Sequence, residues 1–207
     1  MSNMIPTPTS LPNVRVSRSA LLHFCTELFT RLGLSPADAA VAADVLVAAD
    51  ARGIPSHGIA RLPSYVNGIT TGTTVPGAQP EVIAETAATL AVDAHGGMGA
   101  PASAEAMRRI IAKAHTSGAA IACVRDSNHF GIAGYYAMLA LEHDMIGLAM
   151  TNTAALGVPT FGRQVMYGTN PIAFAAPAGR ERAFVLDMST TVVTKGKLEV
   201  YERLGQP

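Results

Sequence analysis

The sequence predicts an α/β protein in which a helical N-terminal region precedes a core of alternating strands and helices. Three observations carry this expectation. Apolar residues recur at helical spacing from Leu21 to Ile69. The Gly-, Pro- and Thr-containing stretch from Thr70 to Gln79 then changes the character of the chain. From Glu81 onward, short apolar runs alternate with helical segments.

In chain order, Ser17 or Ser19 caps a first helix whose stripe is Leu21, Phe24, Leu28 and Leu32, and Gly33 ends it. Ser35-Pro36 reads as N-cap plus first helical residue, with Asp38 favouring the positive helix start. This second helix crosses an alanine-rich segment with Val41, Val45 and Leu46 and stops at Gly53. A third helix is expected from near Ser56, carrying Ile59, Leu62, Val66 and Ile69. Glu81–Ala84 and Thr89–Asp93 read as a hairpin, Ala102–His115 as a helix, and Ala119–Arg125 as a buried strand. A helix over Tyr135–His143 precedes a second buried strand, Ile146–Met150. Ile172–Ala175 and Ala183–Leu186 are short strands around a turn at Ala178-Gly179, and Lys197–Arg203 is helical.

Hydrophobic residues make up 49% of the 207 and charged residues 14%, which excludes a disordered chain. The 15 basic and 15 acidic residues cancel, so no broad field attracts nucleic acid or an anionic membrane, and small-molecule chemistry gains weight. Low charge with much Ala, Gly and Val points to burial in an oligomer. Cys25 and Cys123 form no CxxC pair and give little support to a disulfide framework. No signal peptide and no run of about 18 apolar residues occurs, so a reducing, cytoplasmic compartment is expected. The six histidines show no metal-ligand spacing, and no metal is expected.

Four clusters could carry chemistry. In Ser56-His57-Gly58-Ile59-Ala60-Arg61, a helix starting near Ser56 puts His57 in its first turn and Arg61 on the same face. The helix N-terminus would hold the imidazole near neutrality, where it serves as acid or base. Arg61 could grip a carboxylate through two parallel hydrogen bonds. The same residues also read as a serine cap, a surface histidine and a solvated arginine. The second cluster, Asp126 to Gly134, leads from a strand into a helix, a place where α/β proteins bind ligands. Gly131 and Gly134 would let a cofactor approach the backbone, and an ordinary strand-to-helix turn is the alternative.

The third, Gly97-Met98-Gly99-Ala100-Pro101-Ala102, matches the dinucleotide fingerprint G-x-G-x-x-A on paper. Pro101 inside it and a preceding strand assigned to a hairpin argue instead for a tight turn with a Pro-initiated helix. The fourth joins the turn Tyr167-Gly168-Thr169-Asn170-Pro171 to Asp187-Met188-Ser189-Thr190-Thr191 at a strand end. Asp187 could pair with His57 and raise its basicity, or be a helix cap or surface charge.

Ser56-His57-Gly58 with Arg61, Asn128-His129-Phe130-Gly131, Gly168-Thr169-Asn170-Pro171, and Leu186-Asp187-Met188 with Lys195-Gly196-Lys197 occur in this order. Together they resemble the malate/L-lactate dehydrogenase family of NAD(P)H-dependent oxidoreductases over the chain from about Ser17. The resemblance implies a fold with a mixed sheet that is not the Rossmann type, and a cofactor site without the G-x-G-x-x-G turn. It implies His57 as proton donor or acceptor, assisted by Ser56 and Asp187, with His129 as the rival acid/base. Arg61 and Thr169 would hold the substrate carboxylate and its neighbours. His129, Phe130, Gly131, Ile132 and Ala133, with Asp187, Met188 and Ser189, would line NAD or NADP. The implied reaction moves a hydride between the cofactor and the C=O or C=N carbon of a small 2-oxo or 2-imino acid, in a homodimer.

The expected organisation is an extended or disordered stretch over 1–15, a helical region over 16–75 bearing the acid/base motif, and an incomplete α/β cofactor-binding domain over 76–207. Family members are longer, so the chain reads as a fragment that alone folds poorly or lacks activity. The rival to an enzyme is a non-catalytic relative that serves as a binding or dimerisation module.

Overall fold

The computed structural model describes residues 15–206; the expectation for the first residues therefore lies outside the described part, save for Arg15. Helix α1 (Arg18–Arg31) is capped by the Ser17 hydroxyl, which accepts from Ala20 N at 3.2 Å. Helix α2 (Pro36–Ala51) is capped by Ser35, whose Oγ accepts from Asp38 N at 3.2 Å and donates to Asp38 Oδ2 at 2.7 Å. Its alanines let neighbouring helices approach closely. Ala39, Ala42, Ala43, Val45 and Leu46 lie in one core with Cys25 and Phe29 of α1. Gly53, at φ +74°, turns the chain out of α2 through the left-handed region open to glycine.

The third helix does not begin at Ser56. A 3₁₀ turn at Ile59–Arg61 leads into α3 (Leu62–Thr70), which has Pro63 in its first turn. Ser56 and His57 therefore precede the helix, and the helix dipole no longer explains a neutral imidazole.

Strands β1 (Glu81–Glu85) and β2 (Thr89–Gly97) form the expected hairpin. Strand β2 also pairs in parallel with β3 (Ile121–Ser127), joined through α4 (Gly99–Ser117), so this sheet is mixed, in the order β1-β2-β3. The strand before Gly97 thus does enter a parallel crossover unit. Packing explains the glycine without a phosphate: a Cβ on Gly99 would collide with the Asn128 carbonyl oxygen. Asn128 Nδ2 donates to Gly96 O at 2.7 Å and Gly97 O at 3.2 Å, stapling this turn to the end of β3.

Helix α5 (Ala133–Leu139) continues as a 3₁₀ turn at Ala140–His143 and packs on a second, antiparallel sheet. That sheet comprises β4 (Gly147–Met150), β5 (Ile172–Ala176) and β6 (Phe184–Met188). Ala173 and Ala175 meet Ala133 and Ala137, a contact tight enough that a Cβ on Gly147 would strike the Ala137 carbonyl. Helix α6 (Lys195–Leu204), capped by Thr194, follows.

Neither β3 nor β4 is buried as the apolar runs suggest. Ile121 is exposed on β3, and Leu148, Met150, Leu186 and Met188 are exposed on the second sheet, because helices cover one face only. The main core draws on α1, α2, α4 and α5 together, so the N-terminal helices and the α/β segment pack as neighbours. Among the described residues, no helix is long and apolar enough to cross a membrane.

Candidate active site

The end of α2 builds the first part of the site. Asp50 sits in the last turn, where the helix dipole disfavours a carboxylate, and reaches across to accept the Ile59 amide at 2.8 Å. It thereby caps the 3₁₀ turn from outside. Gly58 is required underneath it, since a Cβ there would run into the Asp50 carboxyl. His57 closes a turn through its amide to Ile54 O at 3.1 Å, and Ser56 Oγ lies 2.9 Å from His57 Nδ1.

The ring of His57 stacks on His129, with centroids 5.6 Å apart and planes at 24°. Tyr65, one helical turn after Arg61 on α3, places its hydroxyl 2.7 Å from His129 Nδ1. The Gly131 amide donates to the same nitrogen at 3.3 Å. Burial, then the charge of Arg61, lowers the pKa of His57. Burial, His57 and Arg61 together push His129 down to about 4, although the residue keeps an outer surface in contact with solvent. Burial raises the Tyr65 hydroxyl well above its ordinary value, so it remains a donor. Desolvation and neighbouring charge thus both favour the neutral form of each imidazole.

Arg61 is largely buried, pairs with Glu199 of α6, and keeps its Nε buried without a hydrogen-bond partner among the described residues. Helix α6 comes close because residue 196 is glycine: a Cβ there would lie 2.8 Å from the Ser56 carbonyl oxygen. Lys195 also approaches Glu199, at 3.6 Å.

Four expected residues, Ser56, His57, Arg61 and His129, therefore converge. Asp187 is engaged elsewhere: its Oδ2 accepts the Gly134 amide at 2.8 Å, and no bond to His57 is formed among the described residues. Burial raises the Asp187 pKa, opposed by that amide and by Arg52. Thr169 belongs to a separate knot, its amide donating to Thr153 Oγ1 at 2.8 Å and its hydroxyl 3.2 Å from that oxygen.

In the second cluster, protein atoms take up the side-chain space of both glycines. The Cβ position of Gly131 is filled by Val45 and that of Gly134 by the Asp187 carboxylate. Ile132 and Ala133 are buried in the protein, and Phe130 stacks on Tyr136 at 4.9 Å. Gly131, Ile132 and Ala133 thus present little surface to solvent. His129 and Met188 keep exposed surfaces, Met188 being 46% exposed. Among the described residues, no group of three or more His, Cys, Asp or Glu side chains could hold a metal ion.

Sequence reasoning missed Asp50, Tyr65 and Glu199. Tyr65 carried a signal in its four-residue spacing from Arg61, and Asp50 in its unfavourable place at a helix end. Glu199 carried none, because its partner is distant in sequence.

A model of the malate/L-lactate dehydrogenase family matches residues 16–207. The malate dehydrogenase of Pyrococcus horikoshii is 45% identical over 193 residues, which are 93% of this chain and 53% of that protein. The Δ1-pyrroline-2-carboxylate/Δ1-piperideine-2-carboxylate reductase of Pseudomonas putida is 34% identical over 199 residues, 96% of this chain and 58% of the relative. The solved malate dehydrogenase structure from Pyrococcus horikoshii OT3 superposes with a TM-score of 0.88 at 43% identity, over 95% of this chain and 56% of that one. The chain spans about half the length of the curated relatives it matches. With the family profile covering nearly all described residues and the solved fold matching, this chain belongs to the malate/L-lactate dehydrogenase family.

Proposed function

We propose that this chain supplies the acid/base and carboxylate-binding part of an NAD- or NADP-dependent oxidoreductase. Its substrate would be a small 2-oxo or 2-imino acid, or the 2-hydroxy acid in reverse. One observation carries the proposal: two stacked imidazoles lie beside a largely buried guanidinium that pairs with Glu199 and whose Nε has no partner among the described residues. A planar carboxylate next to a carbonyl matches that set, with the substrate carboxylate replacing Glu199 on Arg61 and an imidazole facing the carbonyl oxygen. The names of the relatives, a malate dehydrogenase and a reductase of cyclic imino acids, support the same substrate class.

In this reading His57, oriented by Ser56, gives a proton to the substrate oxygen in reduction and removes it in oxidation. His129 assists at the same oxygen or is the rival acid/base. Asp187 acts through Gly134, fixing the start of α5, and Thr169 would bound the substrate side. A nicotinamide cofactor, when bound near His129, Met188 and Ser189, would supply or accept the hydride at the substrate carbon. A homodimer in a reducing, cytoplasmic setting completes the proposal; Cys25 and Cys123 are both free thiols.

The protein as its gene encodes it should oxidise reduced nicotinamide when offered 2-oxo or cyclic imino acids, read by loss of absorbance. His57→Ala should lower turnover by about 10²- to 10⁴-fold with an unchanged circular dichroism spectrum. Unchanged turnover would remove His57 from the chemistry. The exposed Leu148, Met150, Leu186 and Met188 favour a second reading, a binding or dimerisation module without turnover. Self-association with no oxidation of either reduced cofactor would select it.

A further inference from the structure

We propose that Tyr65 and the Gly131 amide lock His129 as its Nε2–H tautomer, making it a neutral hydrogen-bond donor to the substrate oxygen while His57 alone carries the proton. This rests on the reading of the two histidines as the reaction centre.

The donors that meet at one nitrogen fix the tautomer. A backbone amide only donates, so the Gly131 N–H at 3.3 Å requires a lone pair on His129 Nδ1. Tyr65 Oη, at 2.7 Å from the same nitrogen, must then donate as well. A neutral ring with a lone pair on Nδ1 holds its proton on Nε2. Protonating Nδ1 would turn its N–H against the Gly131 N–H, which cannot reverse, and would force Tyr65 to rotate. Two donors at Nδ1 therefore resist the imidazolium.

The charged surroundings act in the same direction. His57 faces the ring from the turn before the 3₁₀ segment, Arg61 from that segment and Tyr65 from α3. Glu199 of α6 is held on Arg61 and forms no bond to the ring, so no carboxylate among the described residues compensates a positive His129.

His57 has the opposite chemistry at its Nδ1. Its neighbour is the Ser56 hydroxyl at 2.9 Å, which can either donate or accept. That ring can hold its proton on either nitrogen or on both without losing its partner. Of two adjacent imidazoles, one is free to cycle through protonation and the other is fixed as a donor. A fixed N–H aimed at a carbonyl oxygen stabilises the charge that develops there without itself being consumed. Tyr65 is thus a positioning residue, acting through His129.

The test is long-range ¹H–¹⁵N correlation on the ¹⁵N-histidine-labelled protein as its gene encodes it, with His129→Gln assigning the His129 signals. His129 should show an unprotonated Nδ1 and a protonated Nε2 from pH 8 down through the ordinary histidine range. Tyr65→Phe, which keeps the ring and removes the hydroxyl, should give a mixed tautomer signal and an upward-shifted His129 titration. Its kcat should fall at least tenfold with KM changed by less than threefold. A protonated Nδ1 in the unmutated protein, or titration of His129 in the ordinary range, overturns the lock. Unchanged nitrogen shifts in Tyr65→Phe overturn the part given to Tyr65, and if that variant fails to fold, the unmutated spectrum decides. The spectrum does not depend on turnover: the expected tautomer alongside full activity in His57→Ala would support the lock and defeat the functional reading separately.

Discussion

Gly58 should be irreplaceable because of Asp50, and the reason can be measured. An added methyl group at Gly58 would occupy the space of the Asp50 carboxyl, which accepts the Ile59 amide at 2.8 Å. Gly58→Ala must either push the carboxylate off that amide or displace the turn carrying His57. A hydrogen bond to a charged group is worth about 1.5–3 kcal/mol, and overpacking costs about 1–3 kcal/mol. Moving the carboxylate relieves part of the crowding, so the two costs overlap and roughly 2–4 kcal/mol is expected. The assay is urea unfolding followed by circular dichroism, on Gly58→Ala, Asp50→Ala and the double variant. Asp50→Ala alone loses the external cap, but it also removes the obstacle, so adding Gly58→Ala should cost far less in that background. The coupling energy should reach about 1–3 kcal/mol. Costs that add to within about 0.5 kcal/mol would refute the contact as the reason for the glycine.

Arg61→Lys should raise KM for the acid substrate at least tenfold with a smaller effect on kcat, because an ammonium cannot offer two parallel N–H groups. An equal loss in kcat and kcat/KM would instead place Arg61 in transition-state stabilisation alone. The pH dependence follows from the lowered pKa of His57. In the oxidation direction the neutral ring is the active form, so kcat/KM should hold steady from pH 8 to below about 6.5 and decline only through the depressed value. Decline centred at the ordinary histidine pKa would contradict the burial argument. The same depression means that the unfolded chain takes up protons first, so stability contributed by the neutral rings is lost as pH falls below about 6.5. Ser35→Ala removes the hydroxyl that accepts Asp38 N and should lower stability by about 1 kcal/mol in thermal or urea unfolding. A change below about 0.3 kcal/mol would assign that capping to solvent.

Much of the fold was legible because its signals are local. Ser17, Ser35-Pro36 and Gly53 announce helix ends through side-chain caps and left-handed backbone, and the structure uses each for that purpose. The hairpin β1–β2 and the turn at Ala178-Gly179 were likewise readable from neighbours in sequence. Ordered motifs marked Ser56, His57, Arg61 and His129 as one site, and the fold brings them together.

Tertiary structure decided the rest, because burial and partnership are set by what arrives from elsewhere in the chain. The apolar runs of β3 and β4 do not say how many faces will be covered, and one face of each stays open. Gly99, Gly131 and Gly134 look like openings for a ligand until Asn128, Val45 and Asp187 fill the places of their missing side chains. Asp187 pairs with Gly134 and not with His57, and Arg61 meets Glu199 from far along the sequence. The state of His129 is the clearest case: the sequence names the residue, but only the donors at its Nδ1, Tyr65 from α3 and the Gly131 amide, determine where its proton resides.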